Sequence, residues 1–325
     1  MPPMEPGKPD AEARPQPLDP NVPGPGRRVL RIALAAAVVA VGACAFFQWA
    51  GVAPREVART FPNGYPRRSA DYAWHRHTRS YTPIASRIGI PAGFHEVPVE
   101  PGSWPEWLRF LPLMPAHSPI RGADGRPLGW PGIPAPPGVV DMDVRRNQEC
   151  ADTILRLRAE YLRWAGHDDR LAFSLAGGGT ISWADWRRGM RPVPVGGRVR
   201  MVRMAGPSES RQSFEAFLDA VFNWCNTDSL SGDGIPATPE DLRIGDFVSR
   251  PGAGARGHAM MIVDLAVDAD GNRRALILQG AMPAQSAHLL RASTGSAWIP
   301  IYPAPCFSVP GWREFTWDLL RRFDP

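Results

Sequence analysis

Lysine is all but missing from this chain: Lys8 is the only one, and the other basic residues are arginines. Those arginines lie among Asp and Glu rather than in a run or stripe, so the net charge of +5 and the pI near 9.4 do not amount to a nucleic-acid footprint. Cysteine is scarce as well. Cys44, Cys150, Cys225 and Cys306 form no C-x-x-C pair and no Cys/His spacing of the zinc-ribbon kind, which excludes a structural zinc site of that type. The glycine triplet Gly177-Gly178-Gly179 lacks the Gly-Lys-Ser/Thr ending of a phosphate loop, and no flavin, nucleotide or haem signature appears. No cofactor is expected.

What is present points to a folded domain behind a membrane segment. Proline (37) and glycine (32) make up about a fifth of 325 residues, which favours turns and extended connections over a helical bundle. Residues 1–28 are Pro-rich and polar and read as a disordered tail. Residues 29–53 hold an uncharged apolar stretch from Ile32 onward, about 20 residues long and enough to span a hydrocarbon core. Two readings fit it. A transmembrane signal anchor keeps the segment, whereas a lipoprotein signal would be cut at Val41-Gly42-Ala43-Cys44; the apolar run through Phe46, Phe47 and Trp49 favours the anchor. Arg27, Arg28 and Arg31 flank its N-terminal side, giving an N-in, single-pass protein of the cytoplasmic membrane with its C-terminal domain extracytoplasmic. Residues 54–87 read as an Arg-rich linker, basic beside the membrane and suited to anionic headgroups. His75 and His77 within it form a His-x-His pair of the kind that can ligate metal, though an isolated pair specifies none.

Residues 88–325 are expected to form one α+β domain, helices packed on an antiparallel meander. From Ile88 to about residue 140, short apolar words broken by Pro and Gly predict loops and short strands. Asp141 or Asp143 can cap a helix from Val144 to Ala165, half exposed through Arg145, Arg156, Glu160 and Arg163. A second helix is expected over Phe214–Trp224, capped by Ser213 or Ser210. The period then changes to strands at 242–248, 258–266 and 275–279, with a hairpin turn at Asp268-Ala269-Asp270-Gly271-Asn272. Trp312, Phe315, Leu319 and Phe323 predict a closing helix over 311–323. Three cysteines follow the membrane segment, and counting pairs Cys225 with Cys306 and leaves Cys150 free.

Three residues stand in an order that chemistry can use. Cys150 lies in the early turns of a helix, His258 heads a strand after Gly257, and Gln279 ends the next strand. A thiol nucleophile needs a helix N-terminus or an imidazole beside it, and the imidazole needs a polar group to fix its tautomer. The alternative is a buried core thiol, a structural histidine and a strand-end amide. His288 can line the same cleft or lie on the surface, Asp246 caps or orients a strand start, and Asp264 is too far along its strand to serve His258.

The strings Trp107-Leu108-Arg109-Phe110-Leu111-Pro112-Leu113, Cys150-Ala151-Asp152, Leu157-Arg158-Ala159-Glu160-Tyr161, Ile244-Gly245-Asp246-Phe247, Gly257-His258-Ala259-Met260 and Met282-Pro283-Ala284-Gln285 resemble a bacterial family known as domain of unknown function 4846, over roughly residues 88–324. That resemblance implies an exported domain tethered to the membrane. A weaker similarity is to the NlpC-like cell-wall peptidases of the papain superfamily, and it implies Cys150 as nucleophile, His258 as base and Gln279 as orienting group. Glu149-Cys150-Ala151 departs from the Asp-Cys-Ser usual at that nucleophile. The expected partner is a cell-wall peptide or glycan. Two functions follow: a cysteine hydrolase cleaving amide bonds, or a non-catalytic envelope domain binding glycan or protein through aromatic loops between 90 and 140.

Overall fold

The computed structural model describes residues 53, 55–75, 79–129, 135–252, 257–301, 306, 307, 309, 311, 312 and 314–324. The expected tail and all but the last residue of the expected membrane segment lie outside them. Among the described residues no helix is long and apolar enough to cross a membrane.

In chain order the elements begin with β1 (Glu56–Val57), α1 (Ile84–Arg87), β2 (Ile90–Pro91), β3 (Phe94–Glu96), α2 (Trp104–Arg109) and α3 (Cys150–Trp164). Next come β4 (Ala172–Ser174), β5 (Thr180–Ser182), α4 (Trp183–Arg187), β6 (Met190–Val195), β7 (Arg198–Arg203), α5 (Arg211–Trp224) and α6 (Thr227–Gly232). The C-terminal part supplies β8 (Gly234–Pro236), β9 (Phe247–Arg250), β10 (His258–Asp268), β11 (Arg273–Gln279), β12 (His288–Leu289), β13 (Ile299–Ile301), β14 (Cys306–Phe307), β15 (Phe315–Thr316) and β16 (Leu320–Phe323). The fold is α+β. Its main sheet runs β12-β11-β10-β9-β16-β8, with β13 also pairing β11 and β3 pairing β10, all antiparallel. The helices α2 and α3 pack on β10, and α5 packs on α3 and α4.

Several expectations are corrected. The long helix starts at Cys150 rather than Val144, because the Asp143 carboxylate accepts from the Arg156 guanidinium at 2.6 Å instead of capping. The helix is also central rather than half exposed. Arg156 is 1 % exposed and also donates to Gln148 Oε1, while Glu160 takes a two-pronged bond from Arg211 of α5, both at 2.7 Å. The 90–140 region contains a helix, α2, whose start is set by Ser103 accepting from the Glu106 amide and by Pro105 in the first turn. Among the described residues the closing helix does not form. Leu320–Phe323 is a strand between β9 and β8, burying Leu320 and Phe323, and it covers an edge of β9 that would otherwise be open. Cys225 is free and buried, so the Cys225–Cys306 pairing is not made; Cys150 is free as well.

The stretch read as a linker packs into the core. Tyr72 and Ile84 are fully buried, and Tyr72 donates to the Trp107 carbonyl at 2.9 Å. Arg59 reaches Asp264 Oδ2 at 2.6 Å, and Arg109 holds Oδ1 of the same carboxylate at 2.8–2.9 Å. Asp264, fully buried on β10, is therefore a clamp between the N-terminal stretch, α2 and the sheet.

Candidate functional site

The site forms where the sheet register meets the start of α3. His258 is the first residue of β10, Gln279 the last of β11, and Gln279 pairs directly across the strands with His288 of β12. The N-terminus of α3 is brought against this corner by Gly280. A methyl group in place of its hydrogen would lie 2.3 Å from Thr153 Oγ1 and 2.9 Å from the Glu149 carbonyl oxygen, so only glycine lets strand and helix approach this closely. Cys150 is the first residue of the helix, and the backbone amide of Ala259, next to His258, favours its thiolate.

The hydrogen bonds around Gln279 run in one direction. The Ser286 carbonyl can only accept, so the 2.8 Å contact with His288 Nδ1 puts a proton on that nitrogen. Burial drops the His288 pKa to about 4, which keeps the ring neutral and makes Nε2 an acceptor. The Gln279 amide nitrogen, 3.1 Å from Nε2, donates to it and turns Oε1 toward His258 Nε2 at 2.7 Å. That bond places the His258 proton on Nε2. Nδ1 is left as the ring's lone pair, the atom a general base needs. The face of His258 is covered by Trp312, with ring centroids 3.4 Å apart and planes within 10°. An indole face attracts a cation, so this stack favours imidazolium once a proton arrives.

Burial works against charge at rest. It pushes the Cys150 thiol up to about 11, partly offset by the Ala259 and Ala151 amides, and lowers His258 to about 3 against the opposing pull of Gln279. The resting pair is thus thiol and neutral imidazole. Both line a cleft of about 840 Å³ together with Gln279, His288, Trp312 and Cys225. Cys225 is the weaker nucleophile of the two thiols. It follows the C-terminus of α5, where the helix dipole opposes a thiolate, and burial with Asp233 raises its pKa far above the usual thiol range. Cys150 has the opposite polarity at the N-terminus of α3.

All three residues expected from sequence, Cys150, His258 and Gln279, meet in this cleft. His288 is buried in it and bonded to Gln279. Trp312 was assigned to a helix that does not form, and nothing in the sequence tied it to His258. The short apolar word at His288-Leu289-Leu290, returning after Pro283, was the available signal that His288 pairs with the end of β11. Of the His-x-His pair, His77 lies outside the described residues, and His75 is buried between Ser69 Oγ at 2.6 Å and Asp141 Oδ2 at 3.3 Å. Among the described residues no group of three or more His, Cys, Asp or Glu is placed to hold a metal. The aromatic loops expected to bind glycan hold Trp104 and Trp107 in the core, 9 % and 0 % exposed.

A family model described as Domain of unknown function (4846) matches residues 84–322, nearly three-quarters of the chain. The chain belongs to this family. The match spans Cys150, Cys225, His258, Gln279, His288 and Trp312, so the whole cleft is part of the Domain of unknown function (4846) region. Neither the curated proteins nor the solved structures searched yield a match.

Proposed function

We propose that this chain is a membrane-tethered envelope protein whose extracytoplasmic domain is a cysteine hydrolase acting on amide bonds of cell-wall peptides. The order of a helix-borne cysteine, a strand-borne histidine and a third polar residue is that of the papain superfamily and its NlpC-like members. The observation that carries the reading is the directed chain from Ser286 through His288 and Gln279 to His258, which leaves Nδ1 as a base in the cleft that Cys150 lines.

In this reading Cys150 Sγ attacks the amide carbonyl carbon while its proton passes to His258 Nδ1. The imidazolium is stabilised by Gln279 Oε1 and the Trp312 face. The amide backbone at the start of α3 and the Ala259 N–H favour the developing negative charge. Cleavage of the C–N bond sends the proton to the leaving amine. Water, deprotonated by His258, then attacks the thioester and releases the acid and the free thiol. Because the resting pair is neutral, His258 works as a general base on the thiol, and no preformed thiolate–imidazolium pair is needed.

Trapping tests this. Intact-mass analysis of the protein with muropeptides, quenched in acid during turnover, is expected to show an acyl adduct that peptide mapping assigns to Cys150. An adduct on Cys225, or none while hydrolysis proceeds, would refute it.

A further inference from the structure

The arginines, dispersed along the chain as a whole, are concentrated in one segment that runs from the end of α4 through the β6–β7 ribbon. Residues 186–208 hold six of them, Arg187, Arg188, Arg191, Arg198, Arg200 and Arg203, and no Asp or Glu. The strands β6 and β7 form a two-stranded ribbon closed by Gly196 and Gly197, whose φ values of 56° and 76° are those of a tight primed turn. The ribbon has two unlike faces. One turns Val199 and Met201 inward, packed against the core. The other sets arginine opposite valine at every cross-strand pair: Arg191 with Val202, Val193 with Arg200, and Val195 with Arg198.

That outer face is unpartnered. Arg187 and Arg188 have ion pairs with Glu209 and Asp185, and Arg191 lies over Trp186, but Arg198 and Arg200 make no ion pair among the described residues; Arg203, paired with Met190, lies on the other face. Val195, Val202 and the following Met204 are 43 %, 41 % and 66 % exposed, and they are three of only seven large hydrophobics exposed among the described residues. Such apolar exposure marks a contact surface rather than a solvated hairpin. Pro192 and Pro194 remove backbone donors from β6, which disfavours an added strand on that edge as the occupant.

The geometry points to the outer face of the β6–β7 ribbon as a docking surface for an anionic phospholipid bilayer, its arginines meeting headgroup phosphates while the interleaved valines enter the interface. Mixed basic and apolar side chains suit a charged surface with hydrocarbon beneath it, whereas a soluble polyanion would leave the valines in water. Each arginine at such a surface contributes about fivefold in association.

The test uses the full chain reconstituted in vesicles, so that any membrane segment of its own is constant, with an environment-sensitive fluorophore on Val202→Cys and labelled wild type as the blank for native thiols. Emission is expected to shift to the blue in vesicles with about a third phosphatidylglycerol and not in pure phosphatidylcholine, and to revert in about 0.5 M NaCl. Adding Arg198→Gln and Arg200→Gln is expected to lower the shifted fraction's association about 25-fold. Equal emission in both vesicles, or a shift that survives both substitutions, overturns the proposal. A shift produced in phosphatidylcholine vesicles by a soluble polyanion such as duplex DNA overturns the assignment to lipid.

Discussion

Replacing Gln279 by leucine removes the amide from the middle of the site while keeping most of its volume. Gln279 is 6 % exposed, and its two ends are the partners of His258 Nε2 at 2.7 Å and His288 Nε2 at 3.1 Å. The substitution leaves a buried N–H and a buried lone pair unsatisfied, each costing about 1–3 kcal/mol, so the loss of stability is expected to be roughly 2–6 kcal/mol. His288 keeps its Nδ1 proton because the Ser286 carbonyl still requires a donor. His258 is released to exchange tautomers, and a hydrolase relying on Nδ1 loses rate on the order of 10²–10⁴-fold. Urea unfolding at neutral pH gives the first quantity, and long-range ¹⁵N–¹H correlation of the imidazoles gives the tautomers. Wild type is expected to show His258 protonated at Nε2 and His288 at Nδ1. A stability change under about 0.5 kcal/mol with unaltered tautomers, or wild-type His258 protonated at Nδ1, would refute the reasoning.

Asp152→Asn is expected to stabilise the protein increasingly with pH: burial lifts the Asp152 carboxyl to about 8, so ionisation opposes folding from about pH 4 upward, and the gain approaches an upper bound of roughly 6 kcal/mol above pH 8. Unfolding at pH 5 and 9 checks it, and a pH-independent gain would contradict the cause. Acid should act in the opposite sense. His258 and His288 titrate near 3 and 4 when folded and about 6.5 when unfolded, so the unfolded chain binds more protons and stability falls from pH 6.5 toward 4, by up to about 2.7 kcal/mol per pH unit from the two together. His288→Gln should roughly halve that slope. Asp264→Ala strands Arg59 and Arg109, both buried, and is expected to cost about 3–5 kcal/mol by calorimetry or urea unfolding, against near zero if the clamp were solvated.

Much of this site could be read from the residues because its parts lie on regular elements. The continuous apolar run after His258, and the Asp-Gly-Asn turn that follows it, gave the β10–β11 hairpin, and with it the neighbouring ends that join His258 to Gln279. The start of α3 was misplaced because Asp143 reads locally as a cap, whereas its carboxylate is taken by Arg156, thirteen residues on. That error put Cys150 nearly two turns into the helix, away from the dipole it actually meets. The C-terminal strand was missed for a related reason. Leu319 and Phe323 repeat at helical spacing, but the edge of β9 is the stronger demand, and no local pattern announces it. Arg156 and Glu160 looked solvated because charge alone suggests exposure, and their partners Asp143, Gln148 and Arg211 are tertiary facts.

The central claim is that Cys150, and not the second thiol in the cleft, attacks an amide carbonyl. Hydrolysis of muropeptides by the full chain, followed by mass spectrometry for wild type, Cys150→Ala and Cys225→Ala, tests it most directly. The account predicts cleavage by wild type and Cys225→Ala and a loss of at least about 10³-fold in Cys150→Ala, all three folded by circular dichroism. Undiminished cleavage by Cys150→Ala would contradict it.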